Sequence, residues 1–327
     1  MKVMIAGGTG FLGYYAALEF LRRGHEVSSI SIPDITLGPW YPKEIKSEYC
    51  DVFTTNEAIL IERLQGYDAI VYAIGPDDRI VPPAPAYPFY YDRLVEACGK
   101  VISAARKAEV KRCTVLNSYF AYFDRIWPEL HLADHHPYIR CRVEQAKRVI
   151  AEGGDSMIVT VLELPYIFGA MPERIPLWKD ILLERLLKMN PIMFPTGGTI
   201  TITVEAVGEA IVGAIERGTH GERYPVGDQN MNWKEMLSIM MQGLNIHKQI
   251  ITIPTFLATL NGKKMAKDEK NQGKESGLDM SRLFTDIQSR FLYFDGDISA
   301  SILGYHRGGV KDAILKMVDR CYPKKES

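Results

Sequence analysis

The stretch that decides the fold is "KVMIAGGTGFLG", Lys2 to Gly13. Its first half is a run of apolar and β-branched residues with no turn former. Its second half places Gly7, Gly10 and Gly13 three residues apart, and "YYAALEFLRRG" follows with helical period up to Gly24. A strand, a glycine turn and a helix in that order form a phosphate-binding turn. Gly7 permits the tight turn, Gly10 lets the backbone approach a pyrophosphate, and Gly13 lets helix and strand pack closely. The first helical residues, Phe11 and Leu12, offer unpaired N–H groups and the positive end of the helix dipole.

The pattern repeats downstream. "EVSSISI" (26–32), "EYCDVF" (48–53), "AIVYAIG" (69–75), "CTVLNS" (113–118) and "MIVTVLEL" (157–164) are strand-like, and helical stretches such as "LVEACGKVISAARKAEV" (94–110) separate them. Strand–helix–strand units at this spacing give a parallel, doubly wound α/β sheet of Rossmann type. The second half is less regular, with helical period in "PLWKDILLERLLKM" (176–189) and "VEAVGEAIVGAIERG" (204–218). The expected division is a dinucleotide-binding domain over 1–169 and 199–228, and a smaller substrate-binding lobe over 170–198 and 229–327. Within the lobe, Asn261 to Gly277 is polar, charged and Gly-flanked, and reads as an exposed, mobile loop.

Composition narrows the function. The chain has 327 residues, 46% of them hydrophobic, enough for a large core. Lys+Arg number 39 and Asp+Glu 40, and no basic stripe stands out, which argues against nucleic acid as a partner. No apolar run approaches the ~18 residues of a membrane span, and the chain begins directly with a strand, so a cytoplasmic protein without a leader is expected. Cys50, Cys98, Cys113, Cys141 and Cys321 are scattered and odd in number, which reads as free thiols in a reducing compartment. His131 and His135 have a spacing that binds metal only on a helix rich in ligands. Pro137 and the shortage of carboxylates argue against it, so no metal is expected.

The G-x-x-G-x-x-G spacing resembles the extended short-chain dehydrogenase/reductases, the group of NAD-dependent epimerases and dehydratases. The resemblance continues along most of the chain. "CDVF" resembles the segment that contacts the adenine, which implies Asp51 and Val52 there. "VYAIG" resembles the loop along the cofactor and implies Ala73, Ile74 and Gly75. "LNSYFAY" resembles S-S-x-x-x-Y, with Ser118 matching the catalytic Ser and Tyr122 the trailing Tyr. "ELPYIFG" resembles the loop near the nicotinamide, with Pro165, Tyr166 and Gly169 matching.

The family's acid/base is a Tyr with a Lys four residues later. Here "YIRCR" (138–142) supplies Tyr138 and Arg142. On a helix the two share a face, Pro137 suits its first turn, and "EGG" (152–154) suits its end. Lys147, nine residues past Tyr138, lies about 180° round the helix and cannot substitute. The resemblance therefore implies Tyr138 as acid/base, Ser118 polarising the substrate oxygen and Arg142 in the Lys role. A phenol titrates near ~10 and needs a nearby cation to act as a base. Arg142 supplies the charge but does not shed a proton, since its pKa exceeds ~12, so slower proton exchange is expected.

Ser31 ends the second strand where NAD-binding members carry a carboxylate. It does not repel a 2′-phosphate, which tilts an NAD(P) site towards NADP. No Arg follows to pair that phosphate, and Asp34 remains a candidate for the ribose. Tyr87, Phe89, Tyr119, Phe120 and Trp127 are candidates for an aromatic substrate pocket. Glu163 and Tyr166 stand where nucleotide-sugar members often have Arg and Asn, which shifts weight towards a smaller carbonyl or alcohol. The expected activity is hydride transfer on such a substrate or on a sugar-type one, with a homodimer expected by analogy. The alternative, favoured by Arg142, is an NAD(P)-binding sensor with little or no turnover.

Overall fold

The computed structural model describes residues 1–32 and 36–323. The expectation for Asp34 lies outside the described residues. The strands are β1 (Lys2–Ala6), β2 (Glu26–Ser31), β3 (Lys46–Tyr49), β4 (Ala69–Tyr72), β5 (Arg112–Ser118), β6 (Ile158–Leu164), β7 (Tyr166–Phe168), β8 (Ile192–Pro195), β9 (Gly198–Thr203), β10 (Arg223–Pro225), β11 (Gln229–Asn232), β12 (Ile250–Ile253) and β13 (Phe291–Leu292). Seven of them form one sheet in the order β10-β6-β5-β4-β1-β2-β3. Every pairing in that sheet is parallel. This is the Rossmann-type doubly wound sheet that the strand–helix alternation implies. Its central strands β1 and β4 are apolar on both faces because helices cover both, while the edge strand β3 is exposed. On one side Ala16, Ala17 and Phe20 of the first helix, α1 (Phe11–Arg22), pack with Ala210, Ile211 and Ala214. On the other, Leu60, Leu64, Val101, Ile102, Ala146 and Val149 pack beneath β1, β4 and β5.

Sheet order reverses between β1 and β4, so a crevice opens outside the C-terminal ends of β1, β4, β5 and β6. The remaining strands form two smaller sheets, and among them β7 reaches the crevice. β9 pairs with β7, β11 and β13, and β8 pairs with β12. The helix Val204–Arg217 after β9 returns to the main sheet, where β10 joins β6.

The stretch 261–277 differs from the loop expected there. A helix runs over Thr255–Asn271. Its residues are mostly strong helix formers such as Ala, Leu, Lys, Met and Glu. Only a narrow strip, Ala258 and Gly262, is buried, so the segment lacks the apolar stripe by which a helix is recognised. Asn261-Gly262 reads as a turn, but the glycine serves close packing: a Cβ there would lie 2.3 Å from the carbonyl oxygen of Met280. The chain beyond the helix is also tied down. Glu269 accepts from the Ser276 hydroxyl at 2.7 Å, and the Glu275 carboxylate accepts from the Ala86 N–H at 2.6 Å.

Candidate active site

The crevice is a cavity of about 780 Å³. Gly10, Phe11 and Leu12 line one end. Ala73, Ile74, Gly75, Ser118, Tyr138, Arg142, Pro165 and Tyr166 line the rest, so most of the expected site residues meet in one place. Gly7 and Gly13 lie under the turn and not in the cavity wall. Gly7 has φ +93°, and its N–H donates to the Ile30 carbonyl at 2.8 Å. A Cβ on Gly13 would sit 2.2 Å from the Gly7 carbonyl oxygen. At Gly10 a Cβ would meet only that same oxygen, at 3.2 Å, so the outer face of the turn is open to a ligand. Gly10 caps α1 without any side-chain hydrogen bond, which leaves the first N–H groups of the helix pointing at that face. The turn thus fits the pyrophosphate of a dinucleotide.

Ser31, Asp51 and Val52 do not line the cavity but cluster beyond the turn. The Cys50 N–H donates to the Ser31 carbonyl at 3.0 Å, which sets Asp51 against the end of β2. The Ser31 hydroxyl accepts from the Thr9 N–H at 3.3 Å, and the Asp51 carboxylate accepts from the Phe53 N–H at 2.9 Å. Arg174, from the segment after β7, donates to the Thr9 carbonyl at 3.2 Å and brings a cation to the glycine turn. No local pattern marks Arg174 in the sequence.

Tyr138 and Arg142 stand on the helix Pro137–Gly153, which begins and ends as the sequence predicts. The Arg142 Nε donates to the Tyr138 hydroxyl at 2.9 Å. Its Nη1 donates to Gln145 Oε1 at 3.0 Å and to the Leu116 carbonyl at 3.3 Å, and its Nη2 to the Pro76 carbonyl at 3.4 Å. Every nitrogen of the guanidinium is therefore held, and the residue is only 8% exposed. Asn117 locks this helix to β5: its Nδ2 donates to the Arg142 carbonyl at 2.9 Å and to Gln145 Oε1 at 3.0 Å. The start of the helix is anchored by the Tyr138 N–H, which donates to the Gly277 carbonyl at 2.9 Å. Ser118, 7% exposed, sits at the C-terminal end of β5 and lines the same cavity as Tyr138.

Burial pushes the Tyr138 phenol above its ordinary value, the Arg142 charge and hydrogen bond pull it down, and Asp78 and Asp77 push it up. Arg142 has the expected sign, yet burial sets the net direction.

The loop Pro76–Arg79 also faces the cleft. Asp77, Asp78 and Arg79 all line the cavity. Asp77 accepts from the Arg79 N–H at 2.9 Å and from its Nη1 at 3.0 Å. The Arg79 guanidinium lies 5.0 Å from the Trp178 ring across the cleft. "GPDDR" after a strand does read as a turn, but nothing local says that it folds back over Tyr138.

Of the five candidate aromatics, Tyr119 and Phe120 line the cavity and the other three do not. Tyr87 donates to Glu144 at 2.9 Å on the outer surface, Phe89 packs against Arg93, and Trp127 packs on Phe123. Tyr122 is also outside the cavity, in contact with Phe294. Glu163 has no exposure and pairs with Arg125 at 2.9 Å and Arg223 at 2.5 Å, so its departure from the family pattern has a structural use. His131 pairs with Asp134 at 3.2 Å, while His136 is buried and accepts from the Asp279 N–H at 2.9 Å. No group of metal-ligating side chains occurs among the described residues, nor is any helix among them long and apolar enough to cross a membrane.

The fold is of Rossmann type, and its glycine turn opens onto the cleft that holds Ser118, Tyr138 and Arg142. The chain belongs to the NAD-dependent epimerases and dehydratases, enzymes of the extended short-chain dehydrogenase/reductase family. It is 32% identical over 138 aligned positions to a UDP-glucose 4-epimerase of Klebsiella pneumoniae, a match covering 38% of this chain and 94% of the relative. No family model matches. Among solved structures, a nucleoside-diphosphate-sugar epimerase from Pseudomonas aeruginosa superposes with TM-score 0.72 at 17% identity, over 98% of this chain and 97% of that one. A UDP-glucose 4-epimerase from Bifidobacterium longum, in complex with NAD+ and UDP, superposes with TM-score 0.69 at 14% identity, over 99% of both chains.

Proposed function

We propose that the chain oxidises and re-reduces an alcohol carbon of a sugar-type substrate, with Tyr138 as acid/base and Ser118 polarising the same oxygen. The observation that carries this reading is the Tyr138 hydroxyl held at 2.9 Å by Arg142 in a cleft that it shares with Ser118 and the glycine turn. In this reading the N–H groups of Gly10, Phe11 and Leu12 take the pyrophosphate, with Gly7 and Gly13 shaping the turn. Ala73, Ile74, Gly75, Pro165 and Tyr166 flank the nicotinamide half, and Asp51 and Val52 take the adenine end. When bound, the dinucleotide accepts and returns a hydride. Ser31 carries no negative charge, so we read the site as admitting NADP as well as NAD. In the same reading the dinucleotide-binding domain spans residues 1–169 with 199–228, and the smaller substrate-binding lobe 170–198 with 229–327.

Arg142 decides among reactions. It stabilises a phenolate at Tyr138 but does not pass a proton to solvent. That suits a cycle in which the proton taken from the substrate hydroxyl returns to the same substrate, as in epimerisation. It suits poorly a net reductase, which must draw a new proton every turnover. This moves the reading from a small carbonyl towards a sugar-type substrate, in keeping with relatives described as sugar epimerases.

The test is incubation with NAD+ and UDP-glucose, following absorbance near 340 nm and the sugar product. Product formation, lost in Tyr138→Phe and reduced by about 10² in Ser118→Ala, supports the reading. Tight dinucleotide binding with no turnover of any nucleotide sugar tried would favour a sensor.

A further inference from the structure

Arg142 leaves a chemical gap. Tyr138 must lose its proton before it can accept one, and the guanidinium beside it is not a proton acceptor. Among the residues lining the cleft, Asp77 is already committed to Arg79 through both carboxylate oxygens. Asp78 also lines the cleft, yet its carboxyl makes no hydrogen bond to another residue's side chain among the described residues.

The loop that carries Asp78 is fastened to the Tyr138–Arg142 pair at several points. Arg142 Nη2 donates to the Pro76 carbonyl at 3.4 Å. The Tyr90 hydroxyl donates to the Asp77 carbonyl at 3.2 Å and to the Ile80 carbonyl at 2.6 Å, so it clasps the loop on either side of Asp78. The Tyr90 ring in turn packs edge-on against the Tyr138 ring, with centroids 5.4 Å apart. Tyr90 and Arg142 thus fix the position of Asp78 relative to Tyr138.

Resting on the reading of Tyr138 as acid/base, we propose that Asp78 is the proton acceptor of Tyr138, in the place that the Lys relay leaves empty. The phenol O–H breaks, its proton moves through water in the cleft to a carboxylate oxygen of Asp78, and phenolate and neutral carboxylic acid result. The phenolate, held by Arg142, then takes the hydroxyl proton of the substrate. The reverse transfer restores the resting pair, and no oxidant or reductant enters the step. The electrostatics agree. Burial pushes the Asp78 carboxyl up, Arg79 and Arg142 pull it down and Asp77 pushes it up, so the acid form is within reach. Asp78 also opposes ionisation of Tyr138, which means that a proton on one favours its loss from the other. The other groups facing Asp78 are Tyr119 and Tyr166, both pushed up by burial first and by Asp78 in addition, and Tyr90, also raised.

Two measurements test this. In protein labelled with ¹³Cζ-tyrosine, with the Tyr138 resonance assigned by Tyr138→Phe, the wild-type signal steps in the acidic range as Asp78 titrates. Asp78→Asn removes that step, and Asp78→Ser serves if the first variant does not fold. A wild-type signal without an acidic step, or one that persists in the variant, overturns the proposal whatever the turnover assay shows. With NAD+ and UDP-glucose, Asp78→Ala lowers turnover about 10²-fold, and added formate restores part of it by standing in for the carboxylate. A full rate in Asp78→Ala, or a loss that formate does not rescue, counts against the transfer. An acidic step in the resonance together with an inactive wild type supports the coupled pair and refutes the reading of function instead.

Discussion

Arg142→Lys isolates what the guanidinium contributes to the fold. Arg142 makes four hydrogen bonds, to Tyr138, Gln145, Leu116 and Pro76, from three different nitrogens. A lysine ends in one nitrogen, which can reach the phenol but cannot also span the carbonyls of Leu116, on β5, and Pro76, past the end of β4. Gln145 keeps its second donor, Asn117. Two buried carbonyls therefore lose their partner, and each lost bond costs about 1 kcal/mol. The loop Pro76–Arg79 loses one of its fastenings. The expected destabilisation is about 2–3 kcal/mol, or roughly 4 °C in Tm. Urea unfolding of both proteins, compared at equal m-value, reads it directly. Dinucleotide affinity should change little, because the glycine turn is untouched. A lysine variant as stable as the wild type would refute the claim that this guanidinium ties the loop to the helix.

Other substitutions probe the frame around the site. Gly13→Ala places a Cβ 2.2 Å from a backbone oxygen that cannot rotate away, so it should cost about 3 kcal/mol and weaken dinucleotide binding at least tenfold by calorimetry. Glu163→Gln leaves Arg125 and Arg223 without their shared carboxylate and should cost about 3 kcal/mol in denaturant unfolding, less than a fully buried pair because Arg125 reaches solvent. The Asp286 carboxyl is pushed up by burial, but the His136 ring 3.4 Å away and hydrogen bonds from Arg282 and Thr285 bring it down from 3.8 to about 2. A depressed carboxylate stabilises the fold above its unfolded pKa, so about 2 kcal/mol should be lost as pH falls through the range from 3.8 to about 2. Asp286→Asn should flatten that part of the stability curve.

What the sequence disclosed divides along physical lines. The glycine turn, the parallel sheet and the Tyr138–Arg142 face were legible because each depends on spacings of three or four residues. Features that depend on distant contacts were not. Asp78 and Arg79 lie in a plain turn motif, and only tertiary packing of Tyr90 and Trp178 brings them to the cleft of Tyr138. The helix Thr255–Asn271 looked like a linker because it buries so little apolar surface. Its helix-forming residues are interleaved with so much charge that the composition is also that of a linker. Tyr87, Phe89 and Trp127 show the converse: aromatic residues near a site in sequence pack just as readily beside it.

The central claim is that the glycine turn and the cleft hold a nicotinamide dinucleotide against Tyr138. Calorimetric titration of the full chain with NAD+ and NADP+ in parallel, repeated on Gly13→Ala, tests it most directly. Saturable binding of both to the wild type is expected, with NADP+ admitted at Ser31, and a loss of at least tenfold in the variant. Absence of binding by either dinucleotide, or equal binding by the variant, would contradict it.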